Sequence, residues 1–213
     1  MRVPQGAGTA AYEGLWCDAQ RVLAGWEPPC GQQAGLRDEF LALLEQGPAA
    51  LRRDGGPAHL TAGVVVLSPD GQEVLLTHHR KAQAWFQFGG HLEAADESLR
   101  AAAQREAREE SGIRGLTVFP EVVHLDRHTL PAAFGRCREH LDVRFAAVAD
   151  PAAGHAVSEE SLDVRWWPVG ALPPGSAADL GPLIDAAVGH QHVPHAVRTA
   201  LGGRPARLEH GGP

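Results

Sequence analysis

The sequence predicts an α/β (α+β) sandwich, in which a mixed β-sheet is covered by a central helix. Three observations predict this fold class. Strand-like apolar runs lie on both sides of one alanine-rich segment, which starts at Asp96 or Glu97 and ends at Ser111 and has strong helix propensity. One segment with apolar residues at helical spacing follows the last strand-like run, and two such segments precede the first strand-like run. The order of the strands in the sheet does not follow from these patterns.

Residues 1–55 are expected to form a helical N-terminal extension. Apolar residues spaced by three or four positions form one stripe over residues 11–26, and the pair Pro28-Pro29 ends it. A second stripe covers residues 36–44. The sequence leaves three alternatives for the role of the extension: a dimer interface, a lid, or an extra layer of core.

Residues 58–188 are expected to form the main domain, and residues 189–213 a mobile tail. Within the main domain, strands are predicted at residues 60–67, 74–76, 85–88, 116–119, 122–125, 140–148 and 164–169. Gly89-Gly90 is predicted to end the third strand, and Gly112 is predicted to stop the central helix. A last helix is predicted over residues 179–188, where Pro182 falls in the first turn and is tolerated.

Composition excludes several function classes. The 213 residues carry a net charge of -7, whereas binding to nucleic-acid polymers or anionic membranes relies on a surplus of Lys and Arg. Three widely spaced cysteines fit a reducing compartment better than a disulfide framework. No apolar run approaches the roughly 20 residues that cross a bilayer. We therefore expect a soluble, intracellular protein with a cytoplasmic location.

The central helix carries carboxylates on its apolar side. At about 100° per residue, Glu106 and Glu110 fall within about 20° of the stripe centred on Leu99, and Glu109 flanks them by about 80°. A solvated, salt-bridged helix would place these acids on its polar side instead. Because like charges at these spacings repel unless a cation or protons intervene, the pattern predicts a site for an oxygen-preferring divalent cation.

The same segment resembles the Nudix box, G-x5-E-x7-R-E-U-x-E-E-x-G-U, where U is bulky and apolar. The positions that match in register are Glu97, Arg105, Glu106, Glu109, Glu110, Gly112 and Ile113, and Gly90 supplies the first glycine. Counting back from Arg105 selects Glu97 as the first acid, whereas counting forward from Gly90 selects Asp96, so the two acids remain alternatives. Ala107 replaces the first bulky residue.

The resemblance implies a function. Nudix enzymes typically use Mg2+, or Mn2+, to hydrolyse a nucleoside diphosphate linked to another group. The metal-binding carboxylates would be Glu106, Glu109 and Glu110, with the Gly90 carbonyl as a further ligand. The expected step is attack of water on one phosphorus, with release of a nucleoside monophosphate.

Two further roles within the box follow from the resemblance. Arg105 would orient a box glutamate, and Glu97 would act as an outer-shell or auxiliary metal residue. Outside the box, Glu160 lies six residues before Trp166 and is the first candidate for an additional catalytic acid, with Glu159 second. The alternative for both is an exposed loop acid.

Three residues are candidates for substrate binding. His91 follows Gly90 directly, and Arg80 belongs to the basic cluster at residues 78–81. His140 lies on the polar side of an alternating strand, where it could bind phosphate or ribose or supply a nitrogen ligand to a metal. A solvated sheet face and an ordinary charged loop are the structural alternatives.

Two other functions compete with the hydrolase. An isomerase of the isopentenyl-diphosphate type shares the fold but uses a His/Glu metal site and a catalytic cysteine. Cys137 has no clear counterpart in that type of enzyme. A Nudix-fold nucleotide sensor often loses box carboxylates, whereas this sequence keeps them. Oligomeric state stays open, and a homodimer is one expectation.

Overall fold

The computed structural model describes residues 7–130 and 137–190. Residues 191–213, most of the predicted mobile tail, lie outside the described residues. No helix in the described ranges is long and apolar enough to cross a membrane.

The described chain contains helices on both sides of a run of strands. The helices are α1 (Ala7–Ala10), α2 (Glu13–Gly25), α3 (Gly31–Leu44), α4 (Leu99–Ser111) and α5 (Leu180–Gly189), with 3-10 helices at Gly47–Leu51 and Pro151–Ala153. The strands are β1 (Ala58–Leu67), β2 (Glu73–His79), β3 (Ala84–Phe86), β4 (Phe88–His91), β5 (Thr117–Val118), β6 (His124–Thr129), β7 (Glu139–Val148) and β8 (Ser161–Pro168). The predicted fold class is confirmed.

Several predicted boundaries are wrong. The run predicted as one strand over residues 85–88 divides between β3 and β4, and the strand predicted over residues 122–125 begins at His124 and continues to Thr129. The central helix begins at Leu99 rather than at Asp96 or Glu97, because the Ser98 side chain accepts a hydrogen bond from the Ala101 N–H and caps it there. Gly89-Gly90 does not end a strand but lies inside β4.

β1 is the central strand of a mixed sheet. It pairs in parallel with β7 along its whole length, from Ala58 opposite Glu139 to Leu67 opposite Val148, and antiparallel with β2 and β4. β5 and β6 pair with the outer side of β7, and β3 and β8 pair with β2. The parallel pair joins segments far apart in sequence, which is why the strand order could not be predicted.

Alternation along β1 divides the core into two sides. Val64 and Val66 belong to the cluster that contains Leu99 of α4, whereas Val65 and Leu67 pack in the cluster that contains α5. The sheet is therefore covered by α4 on one face and by α5 on the other.

The N-terminal helices add a layer to the α4 side. Leu23 of α2 and Phe40 and Leu44 of α3 are fully buried in the same cluster as Leu99. The Trp16 indole N–H also donates to the Leu44 carbonyl over 2.8 Å, which ties α2 to the end of α3. Of the three open roles for the extension, the structure shows the extra layer of core.

Two buried polar contacts attach this layer to the domain. The Gln33 amide of α3 donates to the Leu125 carbonyl over 3.0 Å and accepts from the Leu125 N–H over 2.8 Å. It therefore satisfies both backbone groups of this β6 residue, as a neighbouring strand would. The Asp18 carboxylate of α2 accepts from the Leu99 N–H over 2.9 Å. A carboxylate there also interacts favourably with the positive end of the α4 dipole.

We predict that Gln33→Leu lowers the free energy of unfolding by about 1 to 3 kcal/mol, because both backbone groups of Leu125 lose their buried partner. Urea unfolding followed by circular dichroism measures the change. Gln32→Leu, at the exposed neighbouring position, is the matched control and should change stability little. Equal effects of the two variants would contradict the role given to Gln33.

Candidate active site

The ends of α4 fix the direction in which its acidic side chains point. Ser98 caps the first turn, and Gly112 ends the helix in the left-handed conformation with φ 71°. Its N–H donates to the Arg108 carbonyl over 2.9 Å. Between these caps, the buried residues Leu99, Ala103 and Ala107 hold one face of α4 against the sheet.

The Arg105 guanidinium is the centre of the charge network. It donates to both carboxylate oxygens of Asp96 over 3.0 Å each, to Glu106 over 2.9 Å and to Glu109 over 3.4 Å. It also donates to the His91 carbonyl over 2.9 Å. These contacts, with the hydrogen bonds to Asp96 first, raise the pKa of Arg105, and they join α4, β4 and the connecting loop in one rigid network.

The structure distinguishes the two acids that the sequence left as alternatives. Asp96 is buried, accepts from the Glu93 N–H over 2.8 Å and forms the bidentate pair with Arg105. Glu97 is exposed. The acid that meets Arg105 is therefore the one selected by counting forward from Gly90.

Glu106 and Glu110 face the β4 backbone. A Cβ atom at Gly90 would lie 2.7 Å from the Glu106 carboxylate carbon, so a glycine is needed for this close approach. The Gly89 N–H points at Glu110 over 3.4 Å. Burial, followed by the charge of Glu106, raises the pKa of Glu110 to about 8, and burial also raises the pKa of Glu106.

This donor set fits a hard divalent cation. Glu110 is only 9% exposed, and its neighbour Glu106 is another acid, which leaves the negative charge poorly compensated. Carboxylate and carbonyl oxygens are the ligands that Mg2+ prefers. Because Gly90 has no side chain, the Glu106 carboxylate approaches the β4 backbone closely, and the Gly90 carbonyl is the candidate for a further ligand there.

Two predicted residues outside the box lie on neighbouring segments. Glu160 is exposed in the loop before β8, and its charge adds to that of Glu106 in raising the pKa of buried Glu110. The Arg80 side chain donates to the carbonyls of Glu159 and Ser161 over 3.1 and 3.0 Å. Arg80 therefore holds the loop that carries Glu160, and its contact with substrate stays a prediction.

The other two predicted residues, His91 and His140, meet on the sheet face opposite α4, where His59 joins them. The ring centroids of the three histidines are 4.8 to 5.2 Å apart. Burial first, and then the neighbouring histidines, lowers the pKa of His59 to about 4 and that of His140 to about 3. Sequence reasoning missed His59, whose only signal was its place at the start of an apolar strand.

The family model of the NUDIX domain matches residues 57–187, which include the Arg105 network, Glu106, buried Glu110 and the eight strands described above. The chain belongs to the Nudix family. This confirms the predicted family and, with it, the expected enzyme class, a hydrolase of phosphoanhydride bonds. No curated protein matches the sequence.

Several solved structures of Nudix proteins are similar to part of this chain. A NUDIX-family hydrolase from Clostridium perfringens is 21% identical, and the match covers 60% of this chain and 96% of that one with a TM-score of 0.48. A MutT NUDIX hydrolase from Burkholderia pseudomallei is 20% identical, with 61% and 97% covered and a TM-score of 0.49. An Ap4A hydrolase from C. elegans is 21% identical, with 60% and 93% covered and a TM-score of 0.48.

We predict that the metal-free protein loses stability as the pH rises from about 4.5 to about 8 because of Glu110. The unfolded chain releases this proton near 4.5, whereas the folded protein keeps it up to about 8. The folded state therefore binds more protons in this window, and the free energy of unfolding falls by up to roughly 1.4 kcal/mol per pH unit. Unfolding in EDTA at several pH values measures the fall.

Glu110→Gln should remove most of this pH dependence, whereas Glu45→Gln, at an exposed position on another helix end, should keep it. Mg2+ should stabilise the parent protein more at high pH, because the cation binds the ionised carboxylate. Identical pH profiles for the parent and Glu110→Gln would refute the raised pKa.

Proposed function

We propose that this Nudix protein is a Mg2+-dependent pyrophosphohydrolase that cleaves a nucleoside diphosphate linked to another group. The observation that supports it best is the pair of inward-facing carboxylates, Glu106 and buried Glu110, beside a glycine whose missing side chain lets Glu106 approach the β4 backbone. Mn2+ is the second candidate ion, since it accepts the same oxygen ligands.

In this proposal, Glu106, Glu110 and the Gly90 carbonyl hold the metal, and exposed Glu109 completes the carboxylate set. Arg105 touches Glu106 and Glu109 and holds both carboxylates in position. The bound cation would supply neutralisation of the diphosphate charge and a lower pKa for an attacking water.

For the first acid of the box, which the sequence left open between Asp96 and Glu97, this proposal takes Asp96 and gives it a positioning role. Its bidentate pair with Arg105 sets the orientation of the guanidinium, and through it the orientation of Glu106. Exposed Glu97 therefore becomes the weaker candidate for an auxiliary metal residue.

Glu160 is the proposed general base, with Glu159 as the alternative. The supporting observation is electrostatic, since the charge of Glu160 acts on buried Glu110 and on His91. A carboxylate on an exposed loop near the metal ligands can accept the proton of the attacking water as water reaches it from solvent.

The structure does not favour Cys137 as the catalytic thiol of the competing isomerase. Cys137 is buried, and burial raises the pKa of its thiol, so the reactive thiolate is disfavoured. For the hydrolase, we propose a small nucleotide derivative as substrate and a cytoplasmic location, which the three free cysteines support.

We expect the untagged chain with Mg2+ to cleave at least one member of a panel of NDP-sugars, dinucleotides, nucleoside triphosphates and coenzyme A. Isopentenyl diphosphate completes the panel, and phosphorus NMR identifies the products. Glu110→Gln should lower kcat by about 100-fold or more, because it removes a charged ligand of the ion that stabilises the transition state.

Glu45→Gln is the charge-matched control and should retain full activity. Equal turnover by Glu110→Gln and the parent would refute the metal assignment. Binding of a nucleotide without turnover would favour the sensor, and an isomerised allylic product would favour the isomerase.

Asp96→Asn should lower kcat/KM by about 10- to 100-fold, because the neutral amide weakens the pair that positions Arg105. Glu97→Gln should change kcat/KM by no more than about 3-fold, since Glu97 is exposed. Steady-state kinetics on the best substrate of the panel compares the two. A larger effect of Glu97→Gln would restore it as the first acid of the box.

A further inference from the structure

Three strands bring one histidine each to the same point of the sheet. His59 lies on β1, His91 on β4 and His140 on β7, and the parallel register places His59 directly opposite His140. Each ring has a nitrogen that lies within 4.8 Å of a nitrogen of the other two. His59 is fully buried, whereas His91 and His140 are half-buried, so the cluster opens toward solvent on one side.

This cluster is separate from the carboxylate site. Thr61 pairs with His91 and Ala62 pairs with Gly90, and consecutive residues of a strand face opposite sides of the sheet. Ala62 belongs to the core cluster beneath α4, as do the alternate residues Leu60 and Val64. The His91 ring therefore points away from the α4 side, although its own carbonyl binds Arg105.

Two of the ring nitrogens are orphaned. Nε2 of His59 and Nε2 of His140 are buried and have no hydrogen-bond partner in the part of the chain that the structure describes. A buried polar atom without a partner costs free energy, so its presence at two of three converging rings calls for a ligand.

The contacts of His59 are compatible with a tautomer in which Nε2 carries the lone pair. The Cys137 thiol donates to the Glu139 carbonyl over 3.5 Å, and its sulfur lies 3.3 Å from Nδ1 of His59. A thiol that uses its proton on Glu139 can only accept from Nδ1–H. In this tautomer Nε2 of His59 is unprotonated, and an unprotonated imidazole nitrogen is the form that binds a metal.

We propose that His59, His91 and His140 bind a transition-metal ion of the zinc class, in addition to any ion held by the carboxylates of α4. Three imidazoles without a carboxylate suit Zn2+, Cu2+ or Ni2+ and are poor ligands for Mg2+. Three protein ligands with one open side are also the arrangement in which zinc keeps a coordination position for water or an anion.

The geometry requires only small adjustment. Ligand nitrogens about 2.05 Å from a tetrahedral ion lie roughly 3.3 Å apart, whereas the nitrogens here are within 4.8 Å of one another. Ring rotation at the two half-buried histidines can close this difference, since their side chains are not enclosed on all sides. Cys137 would then hold the outer nitrogen of His59, as groups behind metal-bound histidines commonly do.

The test uses the untagged full chain, stripped with EDTA and titrated with Zn2+ in the presence of excess Mg2+. We expect His140→Gln and His91→Gln each to bind one equivalent of Zn2+ fewer than the parent, or to bind it at least about 10-fold more weakly. Co2+ used as a probe should give visible d–d absorption in the parent that both variants lose. Circular dichroism checks that each variant is folded.

Two matched controls locate the ion. His124→Gln removes a half-buried histidine outside the group, and Glu110→Gln removes a carboxylate of the α4 site. Both should keep the Zn2+ equivalent and the Co2+ spectrum. Because Mg2+-dependent hydrolysis is not the readout, the proposed function can fail while this site stands, and the reverse also holds.

A measurement on the parent protein covers the case in which a histidine variant does not fold. Addition of Zn2+ should shift the ring-nitrogen NMR resonances of three histidines together, with saturation at one equivalent. Unchanged resonances, or Zn2+ binding that survives both histidine variants or is lost in Glu110→Gln, would overturn the proposal.

Discussion

The ten-residue parallel pairing of β1 with β7 is the constraint on which both candidate sites depend. Strict alternation along β1 assigns each residue to one side of the sheet, so that Ala62 lies beneath α4 and its neighbour Thr61 does not. β4 takes its register from β1, and this places Gly90 against Glu106 and His91 against His59. A slip of one residue would exchange the two faces and destroy both sites at once.

The carboxylate site was largely predictable because its information is local. Glu106 and Glu110 lie one helical turn apart, and the apolar residues that orient them are on the same helix. The exception is Asp96. Its pairing with Arg105 depends on the path of a loop that is one residue longer than the family pattern, and periodicity carries no information about a loop.

The histidine cluster could not be predicted, since no two of its members are neighbours in the sequence. His59 and His140 meet only because two distant strands pair in parallel, and a strand pattern specifies neither the partner nor the register. The same limit applies to the N-terminal helices. Their stripes were visible in the sequence, but the surface that Phe40 and Leu44 cover was not.

The amide of Gln33 has a consequence beyond stability. β6 pairs with β7 on one side only in the described sheet, so its other side is an open edge, the kind of surface on which a second chain can add a strand. Gln33 occupies both hydrogen-bonding groups of Leu125 on that edge. The helical layer thus covers this part of the edge, and without it the N–H and C=O of Leu125 would be free to pair with another strand.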